Sequence, residues 1–465
     1  MKKLGHHTSH RALLSSVVQA APLSASVDAI IVPTARPSAK LRNAAHLARR
    51  QDSDLIVLAS KRAQRKAILK LLRELRVKKL HVVDVPPVVS SLPLFETSRL
   101  LRKKGLSRAT DVSTKRNVGL AVARMAGLNT VLFLDDDVIV DKSRHVRVAA
   151  GLLSFNHAVG LHFEGMPDNS VVCHARREVG YRQDAFVGAG ALVVATDKVN
   201  SFFPDVYNED WFFLLDGERI GSVARTGSAR QCQYDPFDNE DRARAQEFGD
   251  LLAEGIFSLL DNGGSVDEAD RGYWFDFIHD RQRMIEDISE AVIDKIRNGS
   301  KRDRILRSLT AARETLVKYV TPDLCTEFIE AWRNDLKTWR SFLATLPTGQ
   351  SVSQALVHLH LHEQWEWSLS SLVPVREVAG HGWRMMLSNV LWARHHVQME
   401  RAWLAQLHKL KVIVVLFLVL LMQLRAPGRG DRGVLLRILL LSLQQQFRLG
   451  AASTQPRSPQ PEIQR

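Results

Sequence analysis

The residues from Ser113 to Val140, STKRNVGLAVARMAGLNTVLFLDDDVIV, decide the fold that this chain is expected to adopt. Within them, Val131–Leu134 is a short apolar run rich in β-formers, which predicts a buried strand. The run stops at three consecutive carboxylates, Asp135, Asp136 and Asp137. Because ligands in open α/β sheets bind at the carboxyl ends of the strands, we expect these acids at the mouth of a crevice.

A bound cation would relieve the repulsion within this acidic triplet. Like charges so close together shift one another's pKa values. A hard divalent ion such as Mg2+ or Mn2+, held by carboxylates and by substrate phosphates, would remove that repulsion. We therefore predict that Asp135 and Asp137 bind a metal, with Asp137 the more direct ligand, and that Asp135 and Asp136 contact substrate. The alternative is an ordinary solvated turn or helix cap.

The segment before the triplet predicts an amphipathic helix that ends at Gly127. It opens with Lys115, Arg116, Asn117 and Gly119. A basic-Asn-x-Gly helix start, a helix and then a strand ending in D-x-D resemble the nucleotide-sugar glycosyltransferases of the GT-A fold, most closely the family 2-like group. In this chain KRNVGL and FLDDDV stand where that family has its ARNxG and D-x-D elements.

The resemblance covers residues 27–215 and implies both a fold and an activity. The implied fold is α/β, with a GT-A-like (Rossmann-like), mostly parallel sheet, helices on both faces and a helical accessory region after it. The implied reaction is metal-dependent transfer, with Mn2+ or Mg2+, of a sugar from a nucleotide-diphosphate sugar to an acceptor hydroxyl. Lys115 and Arg116 would add positive charge near the diphosphate, and Asn117 would also contact substrate.

Strands alternate with helices from Val27 onward, which implies a parallel sheet with right-handed crossovers. Strands are expected at 28–33, 55–59 and 80–85, and helices at 41–50 and 62–76. The first strand ends in V-P-T, which also resembles the family, so substrate binding is assigned to Pro33, Thr34 and Arg36. The family commonly reads the nucleotide base with an Asp after the second strand. This chain has Ser60-Lys61 there, which leaves Asp84 as the substitute.

A second block, Phe186–Leu214, predicts the acceptor side of the site. Gly188 and Gly190 permit a close approach of backbone to a ligand. Asn208-Glu209-Asp210 then precedes an aromatic helix start. In inverting members of the family the Asp of this E-D pair is the catalytic base, so the resemblance assigns that role to Asp210, with Glu209 beside it. An acceptor hydroxyl must lose a proton as it attacks, and a carboxylate can take it. The alternative is a pair of acids in a first helical turn.

Several histidines and acids outside these blocks are weaker candidates. Two expected strand pieces, 160–163 and 170–174, carry His162 and His174, which could contact substrate, although such histidines are more often structural. The acids Asp235 and Asp241 could complete the site. The stretch VHLHLHEQWEW contains His358, His360 and His362. Zinc binding is one interpretation of these histidines, and an interface or surface role is the other.

We expect five segments along the chain: a flexible leader at 1–26, a catalytic domain at 27–222, a helical accessory region at 223–347, a C-terminal helical region at 348–450 and a disordered tail at 451–465. The apolar segment 410–424 has an uninterrupted core that is shorter than the ~20 residues needed to span a bilayer. It predicts a buried or interfacial helix. With the basic turn that follows, it also permits peripheral membrane association.

The composition limits the class of protein and the kinds of partner that we expect. The chain has 465 residues, of which 45% are hydrophobic and 25% charged, as in globular proteins. Its net charge of +14 favours phosphate-bearing partners or an anionic membrane surface, although solvated helix faces are the more usual explanation of each basic patch. We expect no nucleic-acid partner. Three cysteines without a C-x-x-C motif suit a reducing cytosol, so a cytoplasmic protein is expected.

Two other classes of function stay open. A nucleotidyltransferase would use a similar sheet and metal, but usually presents a G-x-G-x-R loop after the first strand, where this chain has Pro33-Thr34-Ala35-Arg36-Pro37. A non-catalytic binding protein could retain a degenerate transferase core and bind a partner through its C-terminal part.

Overall fold

A computed structural model of the chain describes residues 5–15, 24–165, 170–181, 184 and 186–361, and the backbone of a strand at 365–367. These residues belong to the compact unit 1–373. The predictions for His362, the apolar segment 410–424, membrane association and the tail 451–465 lie outside the described residues. Among the helices that are described, none has the length and apolar character needed to cross a bilayer.

One mixed sheet organises the fold, in the order β5-β8-β6-β7-β4-β1-β2-β3-β9. Its strands are β1 Ala29–Thr34, β2 Asp54–Ala59, β3 Leu80–Asp84, β4 Thr130–Leu134, β5 Val138–Ile139, β6 Ala158–Glu164, β7 Ala191–Ala195, β8 Val223–Gln231 and β9 Trp365–Trp367. The run β4-β1-β2-β3 is parallel, as is the pair β6-β8, whereas β7 is antiparallel to both β4 and β6. The predicted α/β class is therefore confirmed.

Helices cover the sheet and continue after it. They are α1 Arg42–Gln51, α2 Arg65–Glu74, α3 Glu96–Lys103, α4 Val112–Ala126, α5 Ser143–Leu152, α6 Val171–Glu178, α7 Glu209–Phe213, α8 Glu240–Asp261, α9 Arg271–Lys295, α10 Gly299–Tyr319, α11 Pro322–Thr345 and α12 Val352–His358. The predicted helical region after the sheet is thus present as α8–α12.

Both faces of the sheet are buried because successive side chains of a strand point to opposite sides. In β1, Ala29 and Ile31 join the core that contains α4 and α8–α12, whereas Ile30 and Val32 join the core beneath α1, α2 and α5. The first core extends without a break into the helical region. The site at the strand ends therefore stands on a scaffold packed from both sides.

The structure corrects three expectations about the elements. Residues 170–174 begin helix α6 rather than a strand, with the Ser170 side chain accepting a hydrogen bond from the Cys173 amide as an N-cap. Strand β8 belongs to the sheet, although it lies in the region 223–347 that was expected to be helical. Strand β9 pairs antiparallel with β3 inside the region expected to be helical.

The described part of the expected flexible leader, residues 5–15, packs against the fold. His7 and His10 are 2% and 0% exposed. The His10 ring stacks on Phe257 at 4.5 Å between centroids and meets Trp211 edge-on at 4.2 Å. His7 and His10 are therefore part of the core.

Candidate active site

The acidic triplet lies at the carboxyl end of β4, beside the carboxyl end of β1, because the two strands are parallel neighbours. Asp136 is buried and accepts a hydrogen bond from the Thr34 hydroxyl at 2.5 Å. Asp137 accepts one from Arg36 Nη1 at 2.8 Å, and the same guanidinium also pairs with Asp136. The ends of β1 and β4 are therefore joined by their own side chains.

Arg116 links the triplet to the E-D pair. Its Nη2 donates to Asp135 Oδ1 at 2.9 Å, and its Nη1 donates to Glu209 Oε1 at 2.8 Å. The other oxygen of Glu209 accepts from Arg108 Nη1 at 2.9 Å. One buried guanidinium thus holds together two motifs that the sequence analysis assigned to opposite sides of the site.

Asp210 is held by backbone donors at the start of α7. Its carboxylate accepts hydrogen bonds from the Ala189 amide at 2.8 Å and from the Trp211 amide at 3.0 Å. A Cβ on Gly188 would lie 2.7 Å from Asp210 Oδ2, so only glycine leaves room for this carboxylate. Gly190 also positions the site, since its carbonyl accepts from the Asp135 amide at 3.0 Å.

Two neighbouring cavities open at this edge of the sheet. The smaller, of ~240 Å³, is lined by Asp135, Gly188, Glu209 and Asp210, among others. The larger, of ~610 Å³, lies at the carboxyl ends of β2 and β3. Its polar lining includes Ser60, Lys61, Asp84, Arg108 and Asp111. Arg108 lines both cavities, so a two-part ligand could extend past its side chain from one to the other.

Burial and like charges perturb two carboxyls of the smaller cavity. Burial raises the pKa of Asp135 to about 6 against the opposing charge of Arg116, and the carboxylates of Asp137 and Asp136 add to the increase. Burial also raises the pKa of Asp210, with the charge of Glu209 as the second cause and Arg116 opposing it. A carboxyl with a raised pKa beside a cavity is suited to accept a proton.

The carboxylates of Asp135 and Asp137 have the oxygen donors that Mg2+ or Mn2+ requires, so their chemistry fits the predicted metal. In the described part of the chain, however, no three potential ligands converge at this edge of the sheet. Arg36 and Arg116 balance the charge of the triplet instead. A divalent ion at Asp137 would therefore have to displace the guanidinium of Arg36 and draw further ligands from a bound phosphate.

Lys115 makes its contacts within the fold. Its buried ammonium donates to the Thr34 carbonyl at 2.8 Å, to the Ser60 hydroxyl at 2.7 Å and to Asp111 Oδ1 at 2.9 Å. All three ammonium donors are used, and burial lowers the pKa of Lys115. The interaction ties α4 to the ends of β1 and β2, so its predicted role near a diphosphate is not supported.

Asn117 and Pro33 are also structural. The side-chain amide of Asn117 donates to the Phe203 carbonyl and accepts from the Phe203 amide, both at 2.8 Å, deep in the fold. Pro33 is buried within β1, opposite Leu58 on β2. Their contacts thus position the loop before α7 and the end of β1, and their assignment to substrate binding stays a prediction.

The two candidate histidines, His162 and His174, lie in different surroundings. His162 lines the smaller cavity, with Nδ1 3.3 Å from Arg225 Nη1. His174 lies in α6, where burial lowers its pKa to about 4 and its Nε2 is 3.4 Å from the Tyr234 hydroxyl. His174 lines neither of the two cavities, so the structure supports a site position for His162 alone.

The remaining weak candidates lie away from the two cavities. Asp235 pairs with Arg304 at 3.3 Å, and Asp241 pairs with Arg244 at 3.2 Å in the first turn of α8. His358 and His360 are exposed at the end of α12 and join no group of three metal ligands among the described residues. None of them completes the site.

Sequence reasoning missed Arg108, which lines both cavities and holds Glu209. It lies in the loop between α3 and α4, where a single arginine has no periodicity or motif to mark it. It also missed Asp184, which lines the smaller cavity and accepts hydrogen bonds from Ser9 at 3.1 Å and Arg11 at 2.6 Å. Its contacts come from an N-terminal segment expected to be flexible.

Comparisons with known proteins add a distant structural likeness. No family model matches the chain, and no curated protein matches it. A solved structure of a mannosyltransferase from Pyrobaculum calidifontis, in complex with GDP-Man and Mn2+, matches with a TM-score of 0.35 and 12% sequence identity. The match covers 75% of this chain and 90% of that one.

Proposed function

We propose that this protein is a glycosyltransferase that moves a sugar from a nucleotide-diphosphate sugar to an acceptor hydroxyl. One observation carries the proposal: Arg116 bridges Asp135 of the D-x-D triplet and Glu209 of the E-D pair, and both acids line one cavity with Asp210. Sugar transfer needs a group that stabilises the charge of the leaving diphosphate and a base that takes the proton of the acceptor hydroxyl. The D-x-D triplet and the E-D pair would supply these two groups at one place.

The two cavities suggest where each part of the nucleotide-sugar donor would bind. The larger cavity would take the nucleoside, with Asp84 and Ser60 in its wall as polar partners for base or ribose. The smaller cavity would take the transferred sugar and the acceptor. Arg108, which lines both cavities, and Arg36, which pairs with Asp137, are two cations suited to a diphosphate, since guanidinium groups bind phosphate oxygens through paired hydrogen bonds.

Asp210 would act as the general base. Two backbone amides fix its carboxylate, so it stays oriented while the acceptor hydroxyl gives up its proton. Its raised pKa makes it a better proton acceptor than an exposed aspartate. A base on the acceptor side allows direct displacement of the diphosphate at the sugar carbon, and this course inverts the configuration there.

Asp135 and Asp137 would hold the divalent ion, Mn2+ or Mg2+, that the D-x-D triplet implies. When bound, the ion would neutralise charge on the diphosphate leaving group. Arg36 is 39% exposed at its side chain, so it can turn from Asp137 to the phosphate oxygens as the ion arrives.

The proposal is tested by incubating the full chain with a panel of UDP- and GDP-sugars and measuring release of the nucleoside diphosphate. We expect release from at least one sugar donor, reduced about a hundredfold or more in Asp210→Asn. Asp235→Asn is the matched control, because Asp235 lies outside both cavities. Consumption of a nucleoside triphosphate with release of pyrophosphate would instead show a nucleotidyltransferase. No turnover of either class would favour a binding protein and overturn the proposal.

A further inference from the structure

A second group of metal-ligating side chains lies apart from the acidic triplet. His6 of the N-terminal segment, Cys173 of α6 and Glu254 of α8 converge there. His6 Nδ1 is 2.6 Å from Glu254 Oε2, and Cys173 Sγ is 3.3 Å from Glu254 Oε1. One ligand atom of each residue lies within 4.8 Å of the other two, and among the described residues this is the one such group found.

The group lies in buried and strongly anionic surroundings. Three carboxylates, Glu247, Asp250 and Glu254, are no more than 1% exposed at their side chains and surround a single guanidinium, that of Arg281. Besides Arg281, the cationic partner of these acids is His6, which pairs with Glu254, and a bound cation would add to the compensation of their buried charge. His6 is 6% exposed at its side chain, and its Nδ1 is the ring nitrogen that meets Glu254.

We propose that His6, Cys173 and Glu254 bind one Zn2+ ion. A nitrogen, a thiolate sulfur and a carboxylate oxygen form a mixed donor set that suits zinc, whereas Mg2+ and Mn2+ prefer oxygen ligands. Zinc bond lengths of about 2.0–2.3 Å in tetrahedral geometry place ligand atoms roughly 3.3–3.8 Å apart. The ligand atoms here lie within 4.8 Å of one another, so the 2.6 Å contact of His6 with Glu254 would lengthen as the ion binds, while Glu254 keeps its pair with Arg281. Binding releases the thiol proton of Cys173 to solvent, and a water completes the coordination.

The ion would fasten the N-terminal segment to the wall of the candidate active site. Four residues after His6, His10 packs on Trp211, and its Nδ1 accepts a hydrogen bond from the Val187 amide at 3.2 Å. Trp211 follows Asp210 directly, and Val187 precedes Gly188. On the α8 side, Asp250 accepts from Asn208 at 2.9 Å. The zinc site therefore lies behind the acceptor side of the cavity and would hold it in place.

The experiment uses the full chain, freed of metal with a chelator and titrated with Co2+ as a spectroscopic substitute for zinc. We expect one tightly bound equivalent with a thiolate-to-cobalt charge-transfer band, displaced by stoichiometric Zn2+. Cys173→Ser should abolish the band. Cys325→Ser, which alters a buried cysteine on α11 outside the group, should keep it, and so should Asp137→Ala in the acidic triplet.

A second variant covers the case in which Cys173→Ser fails to fold. His6→Ala changes a residue near the chain end and should weaken Co2+ binding by at least about tenfold while the secondary structure is kept. Two results would overturn the proposal: absence of a thiolate band in the wild-type chain, or an unchanged Co2+ affinity in His6→Ala.

Discussion

Arg36 Nη1 lies 2.8 Å from Asp137 Oδ2, so a guanidinium engages the carboxylate that the sequence assigns to a divalent cation. The two cations compete for one anion. In Arg36→Ala, we expect Mn2+ to bind several-fold more tightly in the absence of nucleotide, because the competing charge is gone. Titration with detection of free Mn2+ by electron paramagnetic resonance measures this.

The matched control for this prediction is Arg271→Ala. It removes an exposed arginine that pairs with Asp323, far along the chain from Arg36 and Asp137. Its Mn2+ affinity should equal that of the wild type. Equal or weaker Mn2+ binding in Arg36→Ala would show that Arg36 does not hold the metal position.

Gly188→Ala should damage the site without unfolding the protein. The new Cβ would lie 2.7 Å from Asp210 Oδ2, so either the carboxylate or the turn must move. Misplacement of a reacting group by about 1 Å can reduce the rate about a hundredfold. Gly299→Ala is the control, since nothing lies within 4 Å of a Cβ there. Wild-type turnover in Gly188→Ala would argue against Asp210 as the base.

The pH dependence of transfer should follow the charge state of Asp210. A base must be deprotonated, so log(kcat/KM) rises with pH through the raised pKa of Asp210. Glu209→Gln removes the like charge that raises this pKa and frees Arg116 to lower it further. We expect the acid limb of the profile to move to lower pH. Glu218→Gln, at an exposed acid, should leave it in place, and a shift of the Glu209→Gln limb to higher pH would contradict the assignment.

The buried cluster around Arg281 should dominate local stability. Arg281→Leu leaves Glu247, Asp250 and Glu254 without their guanidinium, and such a loss costs about 3–5 kcal/mol of the free energy of unfolding. The exposed pair broken in Arg271→Ala should cost less than about 1 kcal/mol. Urea unfolding at neutral pH compares the two variants, and similar losses in both would mean that the cluster contributes little.

Local patterns predicted the centre of the fold. The apolar run at Val131–Leu134 became β4, the alternation of strands and helices became the parallel run of four strands, and the Asp135 and Asp210 motifs reached one cavity. These features depend on residues close together in sequence, or on strand ends that meet at one edge of the sheet.

The remaining features depend on partners far apart in the chain. The ion pair of Arg116 with Glu209 joins residues 93 positions apart, and that of His6 with Glu254 joins residues 248 positions apart. No local pattern distinguishes Lys115, whose ammonium donors are engaged in contacts within the fold, from Arg116 beside it. The same limit explains why the N-terminal segment was expected to be flexible.

The most direct test of the proposed site is nucleotide binding to the full chain, measured by thermal shift with UDP, GDP and nucleoside triphosphates, each with and without Mn2+. We expect UDP or GDP to raise the melting temperature when Mn2+ is present. The shift should be lost in Asp137→Ala and kept in Asp210→Asn, because the first residue holds the cation and the second acts on the acceptor. Absence of any diphosphate-dependent shift, or an undiminished shift in Asp137→Ala, would contradict this.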